Sequence, residues 1–142
     1  MTRAGYCVAG RGHSTAPPLR LRIATSFWAR AKGLLLQRYS GHDEGLWLRP
    51  CRAIHTAGMR RAIDVVFLDR QHTVIRVVHN LRPYRAAWCW RAYSVVELPA
   101  HYCRRHRYYS AAIRRATRCV ATVNDSCTST AFGSGNSKLP KS

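Results

Sequence analysis

Acidic residues are scarce in this sequence. Six Asp and Glu stand against 24 Lys and Arg, which gives a formal net charge of +18. Chemistry that depends on paired carboxylates therefore has few candidate residues. The positive electrostatic field of such a chain attracts polyanions. The composition therefore has two interpretations: a solvated basic surface, or a site for nucleic acid.

Long hydrophobic runs are also missing. Arg interrupts the apolar segments, so none reaches the ~18 consecutive apolar residues that a membrane-spanning helix needs. The N-terminal segment lacks the apolar region of a secretory signal. We therefore expect a soluble, cytoplasmic protein without a membrane partner.

Motifs of several common enzyme classes are absent as well. The chain has no P-loop, no G-x-G-x-x-G loop, no G-x-S-x-G elbow and no H-E-x-x-H helix. Its six cysteines are unevenly spaced and include no C-x-x-C pair. We interpret them as reduced thiols and expect no metal and no cofactor. The metal-binding alternative rests on the spacing of Cys51 and His55, and on the grouping of His101, Cys103 and His106.

Several short segments have the patterns of β-strands. Apolar and charged residues alternate over residues 19–25, and residues 46–48 form a short apolar run. Residues 65–69 and 73–78 are rich in β-branched side chains and flank a short turn, which predicts a hairpin. Residues 94–98 are the last predicted strand.

One helix is predicted in the first third of the chain. Ser26 is a suitable N-cap, and apolar residues recur at helical spacing over residues 27–35. With 142 residues, the chain has the length of one domain. Several short strands and few helices predict a mainly β (α+β) fold. We expect a compact β-sandwich or a partly closed barrel with one or two short helices.

Residues 51–69 are the most distinctive segment. They read C-R-A-I-H-T-A-G-M-R-R-A-I-D-V-V-F-L-D and combine a His-Thr-x-Gly-Met turn with a lone Asp in an apolar strand. Together with residues 45–48 and 95–100, this segment resembles the domain-of-unknown-function 192 family, also called uncharacterised protein family 0127. The resemblance covers about residues 19–100 and implies a compact, mainly β domain with no assigned activity.

The signature positions of that family have matching residues in this chain. None of them comes with an established chemical role, so the resemblance implies a fold and not a reaction. The matching residues are Cys51, His55, Thr56, Gly58, Met59, Ile63, Asp64, Phe67, Asp69, Pro83, Glu97 and Leu98.

The loop between His55 and Asp64 is the first candidate site. Gly58 permits a backbone conformation that can turn a side chain toward a cleft, and Asp64 begins an apolar strand, where a carboxylate needs a partner. We hypothesise a non-catalytic binding module for a small polar ligand or a protein segment. Its candidate ligand-binding residues are His55, Thr56, Gly58, Met59 and Asp64. In one alternative Asp64 only caps the loop backbone, and in another His55 and Asp64 form the acid/base pair of an enzyme.

A second hypothesis is based on the basic residues. If their segment is extended, alternation places Trp88 and Trp90 on the same side, where they either stack on bases or anchor the core. Together with nearby arginines they predict sequence-independent nucleic-acid binding. The candidate residues for this function are Arg82, Arg85, Arg91, Arg104, Arg105 and Arg107.

The two ends of the chain differ from its centre. Residues 1–18 predict a flexible basic arm and residues 19–100 the family-like β domain. Residues 101–123 form a divergent basic segment that can be helical, and residues 124–142 predict a disordered tail. Relatives continue beyond the position of Ala100 with a Gly-Asp turn and a closing strand. We hypothesise that the reading frame shifts near that residue, with ordinary divergence as the alternative.

Overall fold

The computed structural model describes residues 17–24 and 42–128. In these ranges, seven strands precede two helices. The strands are β1 (Arg20–Ala24), β2 (Glu44–Leu48), β3 (Ala53–His55), β4 (Ile63–Leu68), β5 (Val74–Leu81), β6 (Ala86–Trp88) and β7 (Ser94–Pro99), and the helices are α1 (Tyr102–Arg105) and α2 (Tyr109–Thr128).

Five strands form one mixed sheet in the order β1-β2-β7-β4-β5. Strands β1 and β2 are parallel, and the other neighbours are antiparallel. Strands β3 and β6 form a separate antiparallel pair. The mainly β fold with helices is as the sequence predicts, including the β4–β5 hairpin. The main sheet is not a closed barrel, because β1 and β5 are its two edges in the described ranges.

The main sheet is covered on both faces. Strand β4 is buried along its whole length, as expected for an inner strand between two layers. Its Val66 and Leu68 pack in a core with residues of the helices, whereas Val65 and Phe67 pack in a second core with Ile54 of β3. The molecule therefore has three layers: the helices, the main sheet and the small sheet.

Helix α2 packs on the main sheet through one apolar side. Ala112, Ile113, Ala116 and Val120 are buried at the spacing of a helical stripe, and they share a core with Trp47, which is fully buried. Over the described residues, neither helix combines the length and hydropathy needed to span a bilayer.

The helices lie in the segment that the sequence predicts to be basic and helical. Helix α2 continues to Thr128, past residue 123, where the sequence predicts the start of a disordered tail. The predicted helix at residues 27–35 lies outside the described residues, and so does the predicted arm up to residue 16.

Candidate functional site

The turn after β3 is fixed by Thr56, which is fully buried. Its Oγ1 donates to the carbonyl oxygen of Arg82 at 2.7 Å and accepts from the backbone N–H of Arg85 at 2.9 Å. The Thr56 carbonyl also accepts from the backbone N–H of Tyr84. Because these bonds tie the turn to the segment between β5 and β6, Thr56 has a structural role.

The next two candidates shape the same turn. Gly58 has a φ of 78°, a left-handed conformation that favours glycine, as the sequence suggests. The backbone N–H of Met59 donates to the Thr56 carbonyl at 3.1 Å, and its side chain packs against the core between the two sheets. Met59 therefore contributes to packing.

The small sheet presents one side to the core and the other to solvent. Ile54 and Ala87 are buried, whereas His55 and Trp88 are exposed, as strand alternation requires. Trp88 is 55% exposed, and Trp90, in the turn after β6, is 77% exposed. We call the exposed side of β3 and β6, together with Trp90, the small-sheet face.

The segments that build this face contain no acidic residue. Residues 49–62 and 82–93, which include β3, β6 and their turns, have seven Arg and no Asp or Glu. The seven are Arg49, Arg52, Arg60, Arg61, Arg82, Arg85 and Arg91, and all except Arg49 are exposed. Within these segments, no side chain of opposite charge offsets the positive field.

Asp64 lies on the other side of the main sheet and is fully buried. Its carboxylate accepts hydrogen bonds from the backbone N–H groups of Asn80 at 2.8 Å, Cys103 at 2.9 Å and His101 at 3.3 Å. These bonds give the buried carboxylate its partners. In the described ranges, no hydrogen bond or ion pair joins Asp64 to His55, so the structure does not assemble the acid/base pair.

Two more polar side chains lie close to the Asp64 carboxylate. They are His79 of β5 and Cys103 of α1, and the ligand atoms of the three residues lie within 4.8 Å of one another. Burial, the charge of Asp64 and a hydrogen bond to that carboxylate raise the pKa of the Cys103 thiol to about 12. The thiol is therefore protonated at neutral pH, which makes it a poor nucleophile.

The predicted site residues thus divide between layers. His55 lies on the small-sheet face, Thr56 and Met59 pack inside the turn, and Asp64 lies on the helix side of the main sheet. The basic residues also form two groups. Arg82, Arg85 and Arg91 belong to the segments of the small-sheet face, whereas Arg104, Arg105 and Arg107 lie in α1 and the turn after it.

The cluster around Asp64 is not predicted by the sequence. The sequence groups Cys103 with His101 and His106, whereas the structure places the Cys103 side chain next to Asp64 and the His106 ring 4.0 Å from Asp43. No local pattern marks His79, because its position depends on the pairing of β5 with β4. The one signal in the sequence is Asp64 itself, because a carboxylate in an apolar strand needs hydrogen-bond partners.

Two solved structures resemble this chain. One is a protein of unknown function from Novosphingobium aromaticivorans DSM 12444, with 20% identity and a TM-score of 0.56, covering 62% of this chain and 68% of that chain. The other, called a "putative transcription regulator", is from Sinorhizobium meliloti 1021, with 20% identity and a TM-score of 0.57, covering 70% of this chain and 81% of that chain. At this identity the likeness establishes the fold alone. No match was found among curated proteins.

The family comparison agrees with the motif in residues 51–69. The model of the DUF192 family, described as uncharacterized ACR, matches residues 9–109, which is more than half of the chain. The match continues past residue 100, through α1 and up to the start of α2. This chain therefore belongs to the DUF192 family.

Proposed function

We propose that this chain is a non-catalytic binding domain and that the small-sheet face binds single-stranded nucleic acid without sequence preference. The observation that carries the proposal is the combination, in the segments that build one layer, of two exposed Trp side chains with six exposed Arg and no acidic residue. This site includes His55, at the edge of the loop that the sequence indicates, and it excludes the buried Asp64.

The exposed aromatic residues favour a ligand with planar rings. Leaving Trp88 and Trp90 in water is unfavourable for large apolar side chains. The Arg76 guanidinium donates to the Trp88 carbonyl, and Arg91 follows Trp90 in the same turn. Bases stack on aromatic side chains regardless of their identity, which explains why no base-reading motif is required.

The charge favours a polyanion, and the stacking favours a single strand. Arg side chains neutralise phosphates and release counterions, which gives affinity that decreases steeply with salt. In a duplex the base faces are already stacked, and only base edges are accessible in the grooves. Trp88 and Trp90 therefore distinguish an unpaired strand from a duplex, whereas the arginines do not.

The enzymatic alternative has less support. An oriented acid/base pair needs His55 and a carboxylate in contact, and the described residues contain no hydrogen bond between His55 and Asp64. The Cys103 thiol is not a suitable nucleophile either, because it is buried and its pKa is raised. A binding role needs neither group.

The test compares two triple variants that each remove three positive charges. R82Q/R85Q/R91Q changes the small-sheet face, and R104Q/R105Q/R107Q changes exposed positions on the helix side. Affinity for a labelled single-stranded oligonucleotide is measured by fluorescence anisotropy at several salt concentrations. The first variant is expected to lose at least about 10-fold more affinity than the second, with a smaller salt slope. Equal losses of affinity in the two variants would show that binding depends on net charge alone and not on the small-sheet face.

Trp88→Ala and Trp90→Ala separate nucleic acid from other polyanions. Stacking contributes about 1–3 kcal/mol per base, so each variant is expected to weaken oligonucleotide binding at least about 5-fold. Heparin has the charge but no bases, so its affinity should not change. Oligonucleotide binding that does not depend on either Trp contradicts the proposed site.

A further inference from the structure

The Asp64, His79 and Cys103 side chains come from three elements that only the fold brings together. One ligand atom of each residue lies within 4.8 Å of the other two. Asp64 is fully buried and Cys103 is 5% exposed, whereas His79 is exposed on β5, an edge strand of the main sheet. The cluster is therefore anchored in the core and open to solvent on one side.

An irregularity in the β4–β5 ladder positions His79. Val65 pairs with Val78, but Ile63 pairs with Leu81, so β5 has an extra residue opposite Asp64. Asn80 occupies this bulge with a φ of 53°, and its backbone N–H donates to Asp64. Val78 packs toward the small sheet, so alternation places His79 on the side that faces helix α1.

We propose that Asp64, His79 and Cys103 form a binding site for a thiophilic divalent cation of the Zn²⁺ class. A thiolate, an imidazole and a carboxylate are ligands that Zn²⁺ accepts in proteins. In a tetrahedral site such atoms lie about 3.5 Å apart, so the cluster needs a contraction that the exposed His79 side chain can provide. Three protein ligands leave a fourth position, on the solvent side, for water or another molecule.

The cation takes the place of the thiol proton. The Cys103 thiol is hydrogen-bonded to the Asp64 carboxylate, so a proton lies between the sulfur and the oxygen. On binding, the Sγ–H bond breaks, an Sγ–metal bond forms with the electron pair of the sulfur, and the proton leaves to solvent. Asp64 keeps its backbone hydrogen bonds, since Oδ1 accepts those of Asn80 and His101, and Oδ2, which accepts that of Cys103, has a second lone pair for the cation.

This site is independent of the proposed nucleic-acid site. The cluster lies on the helix side of the main sheet, and the small-sheet face lies on the other side. Loss of metal binding leaves the oligonucleotide experiment unaffected, and the reverse also holds.

Cobalt titration of the reduced, metal-free protein tests the proposal. Co²⁺ replaces Zn²⁺ in such sites, and a cobalt–thiolate bond gives a charge-transfer absorption in the near ultraviolet. The wild-type protein is expected to show this band and to lose it when Zn²⁺ is added. Cys103→Ser should remove the band, and His79→Ala should weaken Co²⁺ binding at least about 10-fold.

Two matched variants serve as controls. His55→Ala removes an exposed His from the other layer, and Cys89→Ser removes a thiol that packs against the other core. Both should bind Co²⁺ like the wild type. His79 is exposed, so His79→Ala remains folded even if Cys103→Ser does not. Absence of the band in the wild type, or Co²⁺ binding that is unchanged in His79→Ala, overturns the proposal.

Discussion

The Asp64 carboxylate accepts a hydrogen bond from the backbone N–H of Cys103 at 2.9 Å, across 39 positions of sequence. This bond connects the inner strand β4 to helix α1, which begins immediately after His101, in the turn from β7. A single buried carboxylate thus fixes where the helical layer starts on the sheet. Loss of its charge is expected to affect the whole fold.

Asp64→Asn is expected to lower the free energy of unfolding by about 3 kcal/mol. The amide replaces one carboxylate oxygen with a donor, which then faces a backbone N–H of Asn80 or Cys103 with no acceptor between them. Urea denaturation in the presence of a chelator measures the loss without a contribution from metal.

Asp69→Asn is the matched control for this prediction. Oδ1 of Asp69 accepts from both Gln71 and Thr73, at 2.9 and 2.8 Å. An Asn side chain keeps that oxygen, so we expect a change of less than about 0.5 kcal/mol. Similar losses for the two variants would mean that the backbone bonds to Asp64 do not determine its contribution.

Thr56→Val is expected to destabilise the fold by about 2 kcal/mol. Valine has nearly the same shape but leaves the Arg82 carbonyl and the Arg85 N–H without the hydroxyl they contact. Because Arg82 and Arg85 flank the small-sheet face, oligonucleotide affinity should fall in the same variant. Thermal unfolding and anisotropy measure the two effects separately.

Thr117→Val is the control for the loss of a buried hydroxyl. Oγ1 of Thr117 donates to the Ile113 carbonyl at 3.0 Å within helix α2, where that carbonyl also takes part in the helical hydrogen-bond pattern. Its removal is expected to change stability by less than about 0.5 kcal/mol. If Thr117→Val lost as much stability as Thr56→Val, the loss would come from replacing any buried hydroxyl and not from the hydrogen bonds of Thr56 to Arg82 and Arg85.

Gly45→Ala tests the close approach of β2 to its neighbours. A Cβ at this position would lie 2.7 Å from Cδ2 of Leu98 and 2.9 Å from the carbonyl oxygen of Glu97. Overpacking of this kind costs about 1–3 kcal/mol. Since valine lacks that Cδ2, Gly45→Ala combined with Leu98→Val should cost less than the sum of the two single changes. Additive costs would place the strain at the Glu97 carbonyl oxygen or at Cδ2 of Leu21, which lies 3.0 Å from the added Cβ.

The main-sheet strands could be predicted because their signal is local. The β-branched run in β4 and the alternation in β1 are visible in the residues themselves. Strands β3 and β6 have three residues each and were not predicted. Their pairing joins segments about thirty residues apart, so it depends on the turn that Thr56 fixes and not on local propensity.

The candidate site was only partly predictable for the same reason. An Asp in an apolar strand indicates that some partner exists, and the structure supplies backbone N–H groups of Asn80, His101 and Cys103. Nothing in the sequence identifies which groups these are, because the β5 bulge and the β7–α1 turn bring them together. Exposure of Trp88 likewise depends on which side of β6 faces the core.

The environment of His72 should make the stability of the fold depend on pH. Its ring packs edge-on against Trp47 with centroids 5.0 Å apart, and burial, followed by the charge of Arg49, lowers the pKa of His72 from 6.5. The unfolded chain therefore binds a proton at a higher pH than the folded protein. As pH falls below 6.5, this group removes stability until the pH passes its folded pKa.

The measurement is the free energy of unfolding at about pH 7.5 and about pH 5.5. His72 has a φ of 60°, so we choose His72→Asn, because Asn tolerates this conformation and does not titrate. The decrease in stability between the two pH values should be smaller in His72→Asn than in the wild type. Arg49→Gln removes one of the causes of the lowered pKa and should give an intermediate decrease. The same decrease in all three proteins would contradict the prediction, because it would mean that His72 has the same pKa in the folded and unfolded states.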